Sequence, residues 1–153
     1  QVALLQSDCT IEMIADALHV HPAMIKFLLE AVGEDRMILI SDSMRAADLA
    51  DGIYDLGGQQ VRVENGLCKL VGKENLAGST LNLNSARQNM KKWLHLSDIA
   101  LAKLTATNSA KRLGLDKRKG SVAIGKDADF FVVDEKDEVL LTVSEGIIIY
   151  QNK

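Results

Sequence analysis

Asp42 is the residue best placed to do chemistry. It follows a continuous apolar run, Met37-Ile38-Leu39-Ile40, and stands between Ser41 and Ser43. Such a placement suits a carboxylate that must face a ligand. Three roles suit it there: general base, metal ligand or helix N-cap. His19-Val20-His21 has the spacing of a metal-binding pair, because alternation on a strand sends both imidazoles to one face. Pro22 argues against regular strand geometry through both positions. A histidine at a strand end serves as a ligand contact or as a hydrogen-bonded structural residue. His95 falls in a turn between two helical patterns and is expected to be solvated. Leu76-Ala77-Gly78-Ser79-Thr80 has small residues that let backbone amides and carbonyls approach a ligand. Gly125-Lys126-Asp127-Ala128-Asp129 reads as a tight turn. Cys9 and Cys68 allow at most one bridge and lack metal-type spacing, which fits plain thiols in a reducing cytoplasm. The chain has no dinucleotide-binding glycine fingerprint, P-loop or nucleophile elbow, so nucleotide binding is unsupported.

These residues need elements to hold them. The segment from Thr10 is expected to form a short strand ending near His19. Pro22–Val32 carries Pro in the first turn and apolar Met24, Ile25, Leu28, Leu29 and Val32 at helical spacing, and Gly33 closes it. Met37–Ile40 is then a buried parallel strand. Strand, helix, strand is the unit of an open sheet or a barrel, whose ligands bind at the carboxyl ends of the strands. His19 and Asp42 belong to that edge. From Gly52 the pattern alternates with period two around Asn65-Gly66, which predicts a hairpin. Helices are expected over 84–94 and 97–113, the second with Ser97 as N-cap and Gly114 as terminator. Trp93 and the methionines at helical spacing are expected in the core. Residues 120–153 alternate around glycines, with strands at Val122-Ala123-Ile124, Phe130 to Val133, Val139 to Val143 and Ile147 to Tyr150. That predicts a small antiparallel sheet lacking a partner sheet.

Composition narrows the class. The 153 residues carry 18 Lys plus Arg and 21 Asp plus Glu, a formal charge of −3, with 47% hydrophobic and 25% charged residues. This is a globular average, and it excludes a nucleic-acid binder driven by bulk charge. No apolar stretch approaches the roughly 20 residues that cross a bilayer. The first ten residues lack the basic front end of a signal peptide, and without an initiator Met the chain is expected to be a fragment.

Five motifs, read in order, resemble one family: Ala15-Asp16-Ala17-Leu18-His19-Val20-His21-Pro22, Leu39-Ile40-Ser41-Asp42-Ser43-Met44, Asn75-Leu76-Ala77-Gly78-Ser79-Thr80-Leu81, residues 106–115 (ATNSAKRLGL) and residues 120–129 (GSVAIGKDAD). The family is the N-acetylglucosamine-6-phosphate deacetylases of the amidohydrolase superfamily; the last two motifs speak to the superfamily only. The resemblance implies an α/β fold: the C-terminal part of a metal-dependent (β/α)8 TIM barrel over 1–119, with a hairpin insertion at about 52–72, then the C-terminal strands of a small β-sandwich over 120–153. It implies Asp42 as general base and then acid, His19 as a contact to the sugar phosphate, and Leu76, Ala77 and Gly78 as lining of the same pocket. It also implies a divalent metal, zinc, held by residues outside this chain, and hence a fragment that is inactive alone. A cytoplasmic homodimer acting on a small amino-sugar phosphate, with no nucleic-acid or membrane partner, completes the expectation. His21 stands where relatives often have aspartate and matches no ligand of the family pattern; Ser43 and Met44 depart from the usual Ala-rich sequence. Another amidohydrolase, acting on a cyclic amide or a different N-acetyl sugar, and a non-catalytic binding module are the alternatives.

Overall fold

The computed structural model describes residues 2–152. After a single helical turn, α1 (Val2–Leu5), the chain enters β1 (Ile11–Ile14), crosses through α2 (Pro22–Val32) and returns in β2 (Met37–Ile40). β1 and β2 pair in parallel, from Ile11 opposite Met37 to Ile14 opposite Ile40. The strand–helix–strand unit is therefore as expected, with one correction. β1 stops at Ile14 instead of continuing toward His19, because the Asp16 carboxylate captures the Leu18 and His19 amides, each at 2.9 Å, and curls the backbone.

α2 starts and ends on the expected residues. Ile25, Leu29 and Val32 recur on its buried face, and Gly33, at φ +79°, donates its N–H to the Leu29 carbonyl at 2.8 Å. Met24 lies on the opposite face, so the expectation of a core methionine fails there; Met13, Met37, Met44 and Met90 are buried.

Residues 52–70 form a three-stranded antiparallel meander, β3 (Gly52–Leu56), β4 (Gln59–Glu64) and β5 (Leu67–Leu70). The Asn65-Gly66 turn is where a hairpin was expected, and Gly57-Gly58 makes a second turn that adds β3. α3 (Leu83–Leu94) follows, then α4 (Asp98–Ala102), a π-helical turn (Lys103–Thr107) and α5 (Asn108–Arg112), which run on as one helical stretch. Ser97 caps it, accepting from the Ala100 amide at 3.2 Å. β6 (Phe130–Val133), β7 (Val139–Ser144) and β8 (Ile147–Gln151) make the final antiparallel sheet. Val122–Ile124 is not a strand: among the described residues none pairs with it, and Ile124 is fully exposed. β8 is open on both faces, with the consecutive residues Ile147, Ile148, Ile149 and Tyr150 all exposed.

The main core gathers Met13 and Ala15, Ile25 and Leu29, Met37 and Leu39, Ala86 and Met90, and Leu101 and Leu104. Side chains as deeply buried as Ile25 and Leu104 each contribute about 1.5–3 kcal/mol. A smaller cluster of Met44, Ala46, Val61, Val63 and Cys68 seats the meander on the segment after β2, with Ala77 against it.

Two polar ties fix the layers. Asn108, buried, donates from Nδ2 to the carbonyls of Glu34 at 2.6 Å and Met37 at 2.8 Å, joining the long helix to the start of β2. On the other side, the turn between β6 and β7 docks on α3. The Asp137 carboxylate accepts from Arg87 and Lys91, each at 3.0 Å, and its carbonyl accepts from Gln88 at 2.9 Å.

Candidate active site

β1 and β2 are adjacent parallel strands, about 4.8 Å apart, and the residues after their carboxyl ends form the site. Asp42 lies just past β2 with φ +48°, a left-handed conformation that aspartate tolerates better than most residues. Its side chain is exposed and makes no hydrogen bond or ion pair to any described residue. The capping role therefore finds no support, since no helix starts at Asp42.

The Leu76–Thr80 loop is laid against this segment. Ser43 and Ser79 form a parallel bridge: the Ser79 amide donates to the Asp42 carbonyl at 2.9 Å, and the Met44 amide donates to the Ser79 carbonyl at 2.9 Å. The same loop is fastened to β5 by Ala77 N–H to the Cys68 carbonyl at 3.1 Å and by the Leu76–Lys69 bridge. Gly78 sits at φ +69°, and a Cβ there would lie 3.3 Å from Met44 Cβ and 3.7 Å from the Asp42 carbonyl. Only glycine suits both that conformation and that approach.

His19 occupies the loop after β1, four-fifths buried. Its Nδ1 is 2.6 Å from Asp16 Oδ2, and the Asp16 side chain is only 9% exposed. Burial pushes the Asp16 carboxyl up, but the His19 amide, the His19 ring and the Leu18 amide together outweigh it and hold it below the ordinary carboxylate value. His21 has a different job. It is the N-cap of α2, and its Nδ1 accepts from the Ala23 amide at 3.2 Å. His95 is exposed and closes α3 in a left-handed conformation. Cys68 is buried in the smaller cluster, and that burial pushes its thiol up, away from reactivity.

The structure thus joins Asp42 directly to the loop of Leu76, Ala77 and Gly78, and sets His19 beyond the neighbouring strand. Asp16 and Ser79 were not singled out in the sequence. An Asp three residues before a His in a strand-end loop is a signal for the first; Ser79 had none beyond its loop. Among the described residues no group of three or more His, Cys, Asp or Glu could hold a metal ion.

A parallel-strand pair carrying a carboxylate past its carboxyl end, with a helical return and a separate small sheet, defines the class. Residues 4–149 match the amidohydrolase family, and the chain belongs to it. The chain is 42% identical over 99% of its length to the N-acetylglucosamine-6-phosphate deacetylase of Bacillus subtilis strain 168, of which it spans 38%. The crystal structure of N-acetylglucosamine-6-phosphate deacetylase from Thermotoga maritima superposes with a TM-score of 0.93 at 35% identity, covering 99% of this chain and 41% of that one. That of an aspartate-to-alanine variant of the Mycobacterium smegmatis deacetylase, in complex with N-acetyl-D-glucosamine-6-phosphate, has a TM-score of 0.89 at 31% identity, covering 95% and 39%. The fold is that of a portion of the amidohydrolase TIM barrel, and the chain spans about two-fifths of the length of these relatives.

Proposed function

We propose that this chain is the Asp42-bearing part of a deacetylase that converts N-acetylglucosamine 6-phosphate to glucosamine 6-phosphate and acetate in amino-sugar catabolism. One observation carries the reading: an unpartnered carboxylate just past a parallel strand, its backbone pinned by the loop that contains Gly78. The relatives' names give the substrate, and the substrate complex of an aspartate-to-alanine variant fits a reaction that needs a carboxylate. Residues 1–119 would supply the last part of the barrel and 120–153 the last strands of a small β-sandwich.

In this reading Asp42 takes a proton from the attacking water as the new C–O bond forms at the acetyl carbon. It then gives that proton to the amine as the C–N bond breaks, so one carboxylate serves as base and acid. His19 contacts the phosphorylated sugar, while Leu76, Ala77 and Gly78 line the pocket and present backbone beside Asp42. Amidohydrolases are generally metal-dependent. The described residues do not make a metal set by themselves, so a divalent metal, zinc by expectation, would be held by other residues and would supply polarisation of the acetyl carbonyl. The same resemblance carries a homodimer and a cytoplasmic setting; no described helix is long and apolar enough to cross a membrane.

The test is acetate release from N-acetylglucosamine 6-phosphate by this chain together with the rest of its barrel. N-acetylgalactosamine 6-phosphate and a cyclic amide serve as alternative substrates. Turnover of the first sugar, and a loss of about 10²–10⁴-fold in kcat for Asp42→Asn with substrate binding kept, is the expected result. Preference for another amide overturns the substrate. An active Asp42→Asn variant overturns the acid/base role.

A further inference from the structure

The loop after β1 binds His19 more closely than a turn requires. Asp16 Oδ1 alone satisfies the turn, accepting the amides of Leu18 and His19 at 2.9 Å each. Its second oxygen, Oδ2, is free of that duty and is spent on the His19 ring, 2.6 Å from Nδ1. The pair is rigidly backed. Ala15, just before it, is fully buried and its carbonyl accepts from Asn89 of α3 at 2.8 Å, and Ala17 follows at φ +63°. An ionised carboxylate only accepts hydrogen bonds, so the hydrogen facing it must sit on Nδ1. Nε2, for which no described residue supplies a partner, is then the ring nitrogen left for a ligand.

We infer that Asp16 is the positioning residue for substrate binding: it fixes His19 as the Nδ1–H tautomer and so dedicates Nε2 to the phosphorylated sugar. When neutral, Nε2 accepts from a sugar hydroxyl. As an imidazolium the ring would donate from Nε2 to a phosphate oxygen, with the Asp16 carboxylate opposite. Asp16 touches no substrate itself. This inference rests on the proposal that His19 meets the sugar phosphate, and its test separates the two.

Asp16→Asn keeps an oxygen for the two backbone amides but turns an NH2 group toward Nδ1. The ring must then accept at Nδ1 and carry its hydrogen on Nε2. Nitrogen-15 spectra of the His19 ring, recorded without substrate, should read Nδ1–H in the unsubstituted protein and Nε2–H in Asp16→Asn. Kinetics should show KM for N-acetylglucosamine 6-phosphate rising about 10- to 100-fold, the loss of a charge-assisted bond, with kcat changed less than about threefold. In a His19→Gln background, Asp16→Asn should add less than about twofold, because its effect passes through the ring. That arm holds even if Asp16→Asn weakens the fold, since a folding defect persists in both backgrounds.

An unchanged tautomer in Asp16→Asn overturns the inference and leaves Asp16 as a turn residue. A switched tautomer with unchanged KM also overturns it, because His19 is then not the sugar-phosphate contact. A switched tautomer in a protein that turns over no amino-sugar phosphate overturns the deacetylase reading and supports the control of the ring by Asp16.

Discussion

Gly120 and Gly125 belong to one motif, residues 120–129, and share a left-handed backbone, at φ +83° and +88°, yet their surroundings differ sharply. A Cβ on Gly125 meets nothing within 4 Å; a Cβ on Gly120 would lie 2.4 Å from Ala110 Cβ, 3.2 Å from the Ala106 carbonyl oxygen and 3.3 Å from Thr107 Cα. Alanine at either site pays the left-handed strain of about 1–2 kcal/mol. A stiffer unfolded chain offsets about 0.4–1 kcal/mol of it. Gly125→Ala should therefore lose about 1 kcal/mol. Overpacking against a helix backbone that cannot yield adds about 1–3 kcal/mol at the other site, so Gly120→Ala should lose about 2–4 kcal/mol. The Thr107 hydroxyl, which donates to the Gly120 carbonyl at 2.7 Å, holds the two segments at this distance. Urea unfolding at neutral pH measures both variants, with an unchanged m-value as the sign that only the native state moved. Ala110→Gly on the Gly120→Ala background should recover about 1 kcal/mol relative to the sum of the single changes, the methyl collision being removed and the two backbone contacts remaining. Equal losses at 120 and 125 would refute the argument from space. The helix concerned matters for the site, because Leu101 and Leu104 pack in one cluster with Met37 and Leu39 of the strand that leads to Asp42.

Two further outcomes follow from the polar contacts. Hydrogen bonding from Lys91 lowers the Asp137 carboxyl below its ordinary value of 3.8; burial opposes this, and Arg87 adds to the lowering. Its contribution is thus complete above the ordinary carboxylate range and lost as pH falls through the depressed value, so the stability gap between the unsubstituted protein and Asp137→Asn should be wide in urea unfolding at about pH 7 and narrow at about pH 3; a gap that grows on acidification contradicts the clamp. His21→Ala should lose about 0.5–2 kcal/mol of stability by uncapping α2, while His21→Asn, an equally good cap, should keep both stability and turnover within about twofold. A collapse of turnover in His21→Asn would make His21 part of the chemistry.

What the sequence made legible was local. α2 was readable to the residue because Pro22 and Gly33 punctuate a clean apolar stripe, and the Asn65-Gly66 turn announced itself. β1 was read too long because the extended geometry that Pro22 favours just before it was carried back to His19, whereas the Asp16 carboxylate binds the next amides and curls the chain, a local competition that periodicity does not register. Val122-Ala123-Ile124 has the composition of a strand and, among the described residues, no strand to pair with. The π-helical turn at Lys103–Thr107 carries no sequence period of its own. At the site, position made Asp42 and the Leu76–Thr80 loop candidates, Asp42 after an apolar strand and the loop between meander and helix, and the family resemblance supplied their proposed roles. The Asp16–His19 pair, by contrast, depends on a distance that only folding sets.

The meander gains a purpose from this geometry. A left-handed aspartate at the end of β2 costs up to about 1–2 kcal/mol and persists because neighbours over-determine it. Ser79 does so by grasping the chain on both sides, taking the Met44 amide and giving its own amide to the Asp42 carbonyl. Ser79 could not hold alone on a loose loop. Its anchor is β5, reached through the Leu70 amide to the Asn75 carbonyl at 3.1 Å and the Ala77 amide to the Cys68 carbonyl. The sheet in turn is seated by Val61 and Val63 of β4 and Cys68 of β5 on Met44 and Ala46, only a few residues beyond Asp42. The circuit closes on itself: the segment that carries the carboxylate supplies the apolar floor for the sheet whose edge fixes that carboxylate. A substitution in that floor therefore acts on Asp42 through the backbone that places it, since no side chain among the described residues partners its carboxylate.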